Sequence, residues 1–509
     1  MADPIVSPRL HSRFDPAGEA ARYLEESLGG RRPSCLLVLG GGEDWLSEAA
    51  RARLPGSLVI SIQLDPRFRG RERLGADLRW YPDDPIALGP FLARSVPGRL
   101  DGGVAVVSWK PSERAFPDAT GTVFRELRLA LEDLTSDAAT VRYWSRRWMA
   151  NGLRNFLAAD RYCRPKPGPF PIVVAAAGPS LESALDALEP HRGRLRLWAL
   201  TSAAAACARR GWTPELQVST DPGFWADRHF DSMLRTRPSR RIPLAAHLTA
   251  RISPAALGLC SLALLSPADA PENDLSRAAG LLSVPGPSRG TSAADALALA
   301  VSVSRGAVIA AGLDLASRDL RSHCRPYGFD NQVLRPERRL RPGLTLIWDR
   351  EIPAFPERLG IWRRGRAFDL YAGGLFPAPG KGILRLLPSP VDVAGTLPLA
   401  PEDLDSVLAG DTVDPDRQVE EYEAPDRPRR TSIARAAMDA WEAEAEAALS
   451  GRIGPPLPAR TRRLLYALGG PEAAAFLAET ARGIREEALA RRARTAVEGS
   501  LAGLRERTA

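Results

Sequence analysis

The feature that most constrains this chain is an apolar run that breaks into Gly-Pro-Ser and continues at once as a helix: PIVVAAAGPSLESAL, Pro171 to Leu185. A buried strand that turns directly into a helix must come back to its own sheet through a crossover. That is the repeating unit of a parallel, doubly wound sheet. Ser180 stands where a side chain can cap the helix, and Glu182 falls in its first turn. The order recurs downstream as strand RLWAL, helix Ala203 to Arg210, strand LQVST, strands near IPLAAHL and LALLS, helix Thr291 to Ser302 and strand AVIAAGL. The expectation is a Rossmann-like domain over 161–340.

A first series precedes it. Gly18 to Leu28 reads as a helix, SCLLVL as a strand, Glu43 to Arg53 as a helix, then SLVISIQL and GGVAVVSW as strands and a helix-rich stretch from about Gly121 to Asp160. With 509 residues, more than one core is expected. The predicted fold class is α/β, with two Rossmann-like parallel-sheet domains, 1–160 and 161–340. A Pro- and Gly-rich irregular β extension over 341–410 follows, and then a linker and C-terminal helices over 411–509. In those helices Pro471 suits a first turn, and Val497, Leu501 and Leu504 keep to one face.

The net charge of +8 and pI near 9.5 raise the question of nucleic acid. Only Lys110, Lys166 and Lys381 are lysines, the arginines are scattered, and no block of five like charges appears, so a solvated surface is expected and nucleic-acid binding is not. Cys35, Cys163, Cys207, Cys260 and Cys324 are far apart and odd in number, as reduced buried thiols of a cytoplasmic protein would be. The start lacks an apolar h-region, and the most apolar stretch, Thr291 to Leu313, is interrupted by Asp295 and Arg305. Neither a signal peptide nor a membrane span is expected.

Two glycine turns could carry ligands. VLGGGEDW, Val38 to Trp45, follows a strand and has Asp65 after the next one, as a dinucleotide or S-adenosylmethionine site needs. Trp45 occupies the third glycine position of GxGxxG, however, and Val38 stands where methyltransferases carry an acid, so a plain strand-to-helix turn is the other reading. AAAGPSL does not stand alone. LTS at Leu200 to Ser202, STDPG at Ser219 to Gly223 and GLDLA at Gly312 to Ala316 end other strands, while SRGTS at Ser288 to Ser292 opens a helix. Carboxyl ends of parallel strands line one crevice, so five loops can meet one ligand. Hydroxyls and helix N-termini suit phosphate; Asp221 and Asp314 suit ribose, amine or hydroxyl groups.

These motifs, with TSAAAACARRGWTPELQVSTDPG and GTSAADALALAVSVSRGAVIAAGLDLASRDLRSHC, resemble the central domain of the motility-associated factor (Maf) glycosyltransferases, whose core is shared with archaeal 6-hydroxymethylpterin diphosphokinase. The resemblance covers about Pro171 to Cys324, and HSRFDP with the N-terminal glycine turn fits the same architecture. It implies transfer of a sialic-like nonulosonic acid from a CMP-activated donor to Ser or Thr of flagellin in the cytoplasm. By the same resemblance, Gly178, Pro179 and Ser180 cradle the donor phosphate or cytidine, Thr201, Ser202 and Asp221 line the nucleotide pocket, and Gly290, Thr291 and Ser292 form the opposite lip. The family's GQDLA is GLDLA here, so Leu313 replaces an amide, and the family's following His is matched by His323.

A CMP-sugar leaves through an oxocarbenium-like transition state, so the enzyme must hold phosphate, exclude water and deprotonate the acceptor. His323 and Asp314 are the candidate catalytic residues, with His323 as base at an ordinary pKa near ~6.5. The five His and five Cys show no ligand spacing, and neither metal nor cofactor is expected. The competing chemistry is pyrophosphoryl transfer from ATP to a pterin alcohol, with Asp221 and Asp314 holding Mg²⁺ through water. A catalytically silent nucleotide-binding protein is the third reading.

Overall fold

The computed structural model describes residues 9–285, 290–365, 368, 371–372, 382–410 and 419–508. Ser288 and Arg289 of the SRGTS motif, and residues 411–418 of the expected linker, lie outside them. The chain forms two compact units, one of residues up to Arg146 with Met438–Arg507, the other Arg147–Ala437.

In the first unit, strands β1 (Cys35–Leu39), β2 (Leu58–Ile62), β3 (Leu78–Trp80) and β4 (Val104–Ser108) form a parallel sheet in the order β3-β2-β1-β4. The two-residue alternation of a strand sorts its side chains. Leu36 and Val38 pack with Leu24, Leu46 and Ala50 of helices Pro16–Leu28 and Trp45–Arg53. Cys35, Leu37 and Leu39 pack with Leu88 and Leu92 of helix Leu88–Ser95 and with Val123 and Leu127 on the opposite face. Within this unit helix Ala459–Ala481 joins the sheet domain: Asp101 accepts from Arg462 at 3.3 Å and from the Tyr466 hydroxyl, and just beyond the helix Arg482 donates to Gly102 O at 3.0 Å. Helix Ala459–Ala481 is broken at Gly470, where φ is +55°, and Pro471 opens the next turn.

The second unit is one large sheet. Its strands are β5 (Arg161–Pro165), β6 (Ile172–Ala175), β7 (Arg196–Leu200), β8 (Leu216–Ser219), β9 (Ile242–His247), β10 (Cys260–Ser266), β11 (Ser283–Pro285) and β12 (Val308–Ala311). Six later strands follow among the described residues. β13 (Ser317–Arg318) pairs with β15 (Trp362–Arg364), which pairs with β14 (Glu357–Leu359) in a small antiparallel sheet. β16 (Ile383–Leu386), β17 (Thr396–Leu399) and β18 (Val419–Glu423) return to the large one. Its order is β17-β16-β12-β6-β7-β8-β9-β10-β5-β18, with β11 on β10, and only β18 runs antiparallel. β6, β7 and β12 are buried at every position, as strands covered by helices on both faces must be.

The stretch expected as an irregular β extension therefore does more than extend. It contributes helix Gly343–Ala354 and two strands of the large sheet, because Ile383 and Leu386 find the apolar face left by β12 and join the main core. All five cysteines are buried free thiols, and burial pushes Cys35, Cys163, Cys207 and Cys260 up to about 12, where they are inert as nucleophiles at neutral pH. Among the described residues no helix is long and apolar enough to cross a membrane.

Candidate active site

From β6 the chain steps through β7, β8, β9 and β10 to one side, and places β12 on the other. The GPS and GLD turns end the two strands at this reversal, where open α/β sheets bind ligands. Here the turns bind each other. Gly178 donates to Gly312 O at 2.9 Å, and Asp314 accepts the Ser180 N–H at 2.7 Å and the Ser180 hydroxyl at 2.5 Å. A Cβ on residue 178 would lie 2.4 Å from Gly312 O and 2.5 Å from Asp314 Oδ2, so only glycine fits. Pro179 is buried between them.

Ser180 is not the helix cap that local sequence suggests. Its own φ and ψ are helical, helix Leu181–Leu188 starts without a side-chain cap, and the hydroxyl goes to a carboxylate that is the stronger acceptor. Burial pushes the Asp314 pKa up to about 6 against the two Ser180 bonds that pull it down. Ser180→Ala should cost about 1.5–3 kcal/mol of stability, the worth of a hydrogen bond to a charged group. Urea unfolding checks this; loss of nucleotide affinity with unchanged stability would place the hydroxyl on a ligand instead.

A cavity of about 530 Å³ runs along helix Thr201–Arg209, from its first residue after β7 to its last. Thr201 and Ser202 line it with His229 and Tyr327, and Arg209, Arg228 and Arg235 stand exposed in its wall. Arg228 pairs with Asp231 at 3.8 Å, whereas no described residue pairs with Arg209 or Arg235. Tyr327 is the centre of an aromatic stack: His323 lies 4.1 Å from it at 13°, His229 lies 5.3 Å away, and His229 stacks on Phe329 at 4.7 Å. The site thus joins hydroxyls, an aromatic wall and uncommitted guanidiniums, the groups that hold a phosphorylated ring compound.

His323 is the predicted base, and it borders a second, smaller cavity of about 110 Å³ that shares Tyr327 and Asp330 with the larger one. Cys324 N–H donates to Ala177 O at 2.8 Å, which ties this segment to the end of β6. Burial, with the nearby charges of His229 and Arg350, takes the His323 pKa down to about 4. The ordinary value near ~6.5 does not apply, and the ring is neutral throughout the physiological range.

The other two loops meet each other. Thr220 Oγ1 lies 2.8 Å from Ser292 Oγ, and Thr291 caps helix Ser292–Val303 by accepting from Ala294 N–H at 3.2 Å. Gly290 precedes the cap at φ +78°. Asp221 is exposed, accepts from Gly223 N–H at 2.6 Å, and its charge raises His229 against the burial that lowers it to about 4. Sequence reasoning missed His229, Tyr327 and Arg235, which carry no motif. It also missed His247, 3.4 Å from Asp295 and buried at the end of β9, for which the carboxyl-end position was the available signal. Leu313, in the GLD turn, sits in the apolar core.

The N-terminal glycine turn is filled by the protein itself. Gln63 bonds Gly42 through both its N–H and C=O, Ser112 donates to Gly40 O, and His11 of HSRFDP lies 3.1 Å from Gly41 O, stacked on Trp109. A Cβ at Gly40, where φ is +71°, would meet Ser112 Cβ at 2.8 Å. Asp65 is occupied by Arg67 at 2.8 Å. Titration with S-adenosylmethionine should therefore give no saturable heat; a saturable isotherm would show that these side chains yield to a ligand.

Among the described residues no group of three or more His, Cys, Asp or Glu is placed to hold a metal ion. The family model for 6-hydroxymethylpterin diphosphokinase MptE-like matches residues 152–319. Two proteins of Treponema pallidum (strain Nichols), both called uncharacterized protein, are similar: one is 28% identical over 241 residues, 47% of this chain and 52% of its own length. The other is 23% identical over 128 residues, 25% of this chain and 61% of its own length. This chain thus spans little more than half of the curated relatives it matches. The structure of a Maf glycosyltransferase from Magnetospirillum magneticum AMB-1 superposes with a TM-score of 0.54 at 11% identity, covering 99% of this chain and 85% of that one. The chain therefore has the fold of a Maf glycosyltransferase, built around an MptE-like core domain.

Proposed function

We propose that this protein is a cytoplasmic glycosyltransferase that moves a sialic-like nonulosonic acid from a CMP-activated donor to Ser or Thr hydroxyls of a flagellin-type protein. The observation that carries the reading is the cleft along helix Thr201–Arg209, with Thr201 and Ser202 at the carboxyl end of β7, Tyr327 in its wall and Arg209 and Arg235 uncommitted. In this reading the hydroxyls and guanidiniums hold the donor's phosphate and carboxylate, and the aromatic wall excludes water. The oxocarbenium-like carbon then meets an acceptor oxygen whose proton passes to His323. Asp221 and the lip Gly290, Thr291 and Ser292 border the donor from the neighbouring strand ends. Gly178, Pro179 and Asp314 set the backbone of the switch point rather than bond the substrate.

The MptE-like domain favours pyrophosphoryl transfer as the second reading. That reaction needs carboxylate oxygens for Mg²⁺, and both oxygens of Asp314 are already taken by Ser180. Calorimetric titration with CMP, CDP and ATP, each with and without Mg²⁺, decides between them. CMP should bind without metal, and Arg235→Glu should weaken it about tenfold, more at low salt. Tight ATP binding only with Mg²⁺, and none of CMP, would transfer the protein to the diphosphokinase class.

A further inference from the structure

His323 is held from its Nδ1 side by its neighbour Ser322 and, through it, by Glu351, which lies outside every motif of the chain. Ser322 Oγ lies 3.0 Å from His323 Nδ1 and 3.3 Å from Glu351 Oε1. Glu351 is 2% exposed, on the inward face of helix Gly343–Ala354 with Leu346, and Arg350 donates to the same oxygen at 2.9 Å. A carboxylate beside a guanidinium only accepts, and a hydroxyl has one proton. Ser322 must spend that proton on Glu351, so toward His323 it can only accept. The proton on the His323 ring then sits on Nδ1, and the Nε2 lone pair is left bare. Nε2 makes no hydrogen bond among the described residues, and the ring borders the small cavity next to the cleft. Tyr327, stacked at 4.1 Å, fixes the ring plane but not which nitrogen points outward.

We infer that Glu351, acting through the Ser322 hydroxyl, is a positioning residue that locks His323 in its Nδ1–H tautomer and presents Nε2 to the acceptor hydroxyl. The inference rests on the reading of His323 as the acceptor's base. In the transfer step the acceptor O–H bond breaks and Nε2–H forms. The oxygen's electron pair bonds the anomeric carbon, and the bond from that carbon to the phosphate breaks with its pair leaving on CMP. The imidazolium so formed keeps its Nδ1–H on Ser322, whose hydroxyl still points at Glu351, and the Nε2 proton goes on to water. Orientation by a buried carboxylate through a hydroxyl serves the purpose that a directly bonded carboxylate serves in other histidine bases.

The test is ¹⁵N NMR of the full chain labelled at histidine, at pH 7, with the His323 signals assigned by their loss in His323→Ala. The expected spectrum has a protonated Nδ1 and an unprotonated Nε2. Ser322→Ala should move the ring toward the Nε2–H tautomer and lower kcat about 10–100-fold with the KM for donor unchanged, as loss of an orienting partner does. Ser322→Thr, which keeps the hydroxyl, should restore both. An Nε2–H tautomer in the unmodified protein overturns the inference, as does an unchanged tautomer in Ser322→Ala. If the purified protein transfers no sugar at all, the functional reading fails while the nitrogen signals still decide this one.

Discussion

His323→Ala is expected to lower turnover of sugar transfer by ~10²–10⁴, the usual contribution of a general base, while CMP binds with unchanged affinity. The separation follows from the site: His323 borders the smaller cavity, whereas Thr201, Ser202, Arg209 and Arg235 line the larger one. The pH profile carries a second signature. With the pKa at about 4, the base stays deprotonated down to mildly acidic conditions, so the acid limb should fall near pH 4, not near ~6.5. His229→Ala is the control, because His229 lines the larger cavity and should change CMP affinity instead. A His323→Ala enzyme that turns over normally ends the proposal. Loss of CMP binding in that variant would move His323 to the donor.

Asp314→Ala should be among the most destabilising single changes, about 3–5 kcal/mol, because it leaves the buried N–H and hydroxyl of Ser180 without their acceptor. Asp314→Asn keeps the shape and should cost far less. The carboxyl's pKa is raised to about 6 in the fold from an ordinary 3.8. The folded state therefore favours the protonated form. That contribution is complete below 3.8 and disappears as pH rises through about 6, amounting to about 3 kcal/mol over the window. His229 and His323, both lowered to about 4, act in the opposite sense: their contribution is present above ~6.5 and is lost as pH falls toward 4. Comparing Asp314→Asn with the unmodified protein cancels the histidines. Its relative stability in urea should rise between pH 4 and pH 7, and a flat difference would show that the carboxyl titrates normally.

The N-terminal glycine turn shows how far a motif can mislead. VLGGGEDW has the strand before it, the helix after it and an acid at the end of the next strand. In the fold, Gln63, Ser112 and His11 occupy the glycines and Arg67 occupies the acid. Glycine at position 40 answers the close approach of Ser112. The absence of an acid at Val38 was the sequence signal that pointed the same way.

What the amino-acid order determined by itself is everything set by local period and punctuation. The continuous apolar runs IVVAAA and RLWAL could only be strands covered on both faces. The turns after them had to lie along one edge of a parallel sheet, and five dispersed cysteines had to be buried thiols. The tertiary structure alone decided which group each polar side chain meets. Ser180 and Asp314 are 134 residues apart, and helix-cap rules, which see three residues ahead, assigned the hydroxyl to the wrong partner. Burial of His323 among His229, Tyr327 and Arg350 is likewise a long-range fact, and it moved a base expected near ~6.5 to about 4. Ile383 to Leu386 offered too short an apolar run among prolines and glycines to be read as a sheet strand. Only the open edge of β12, where its backbone N–H and C=O groups needed partners, made it one.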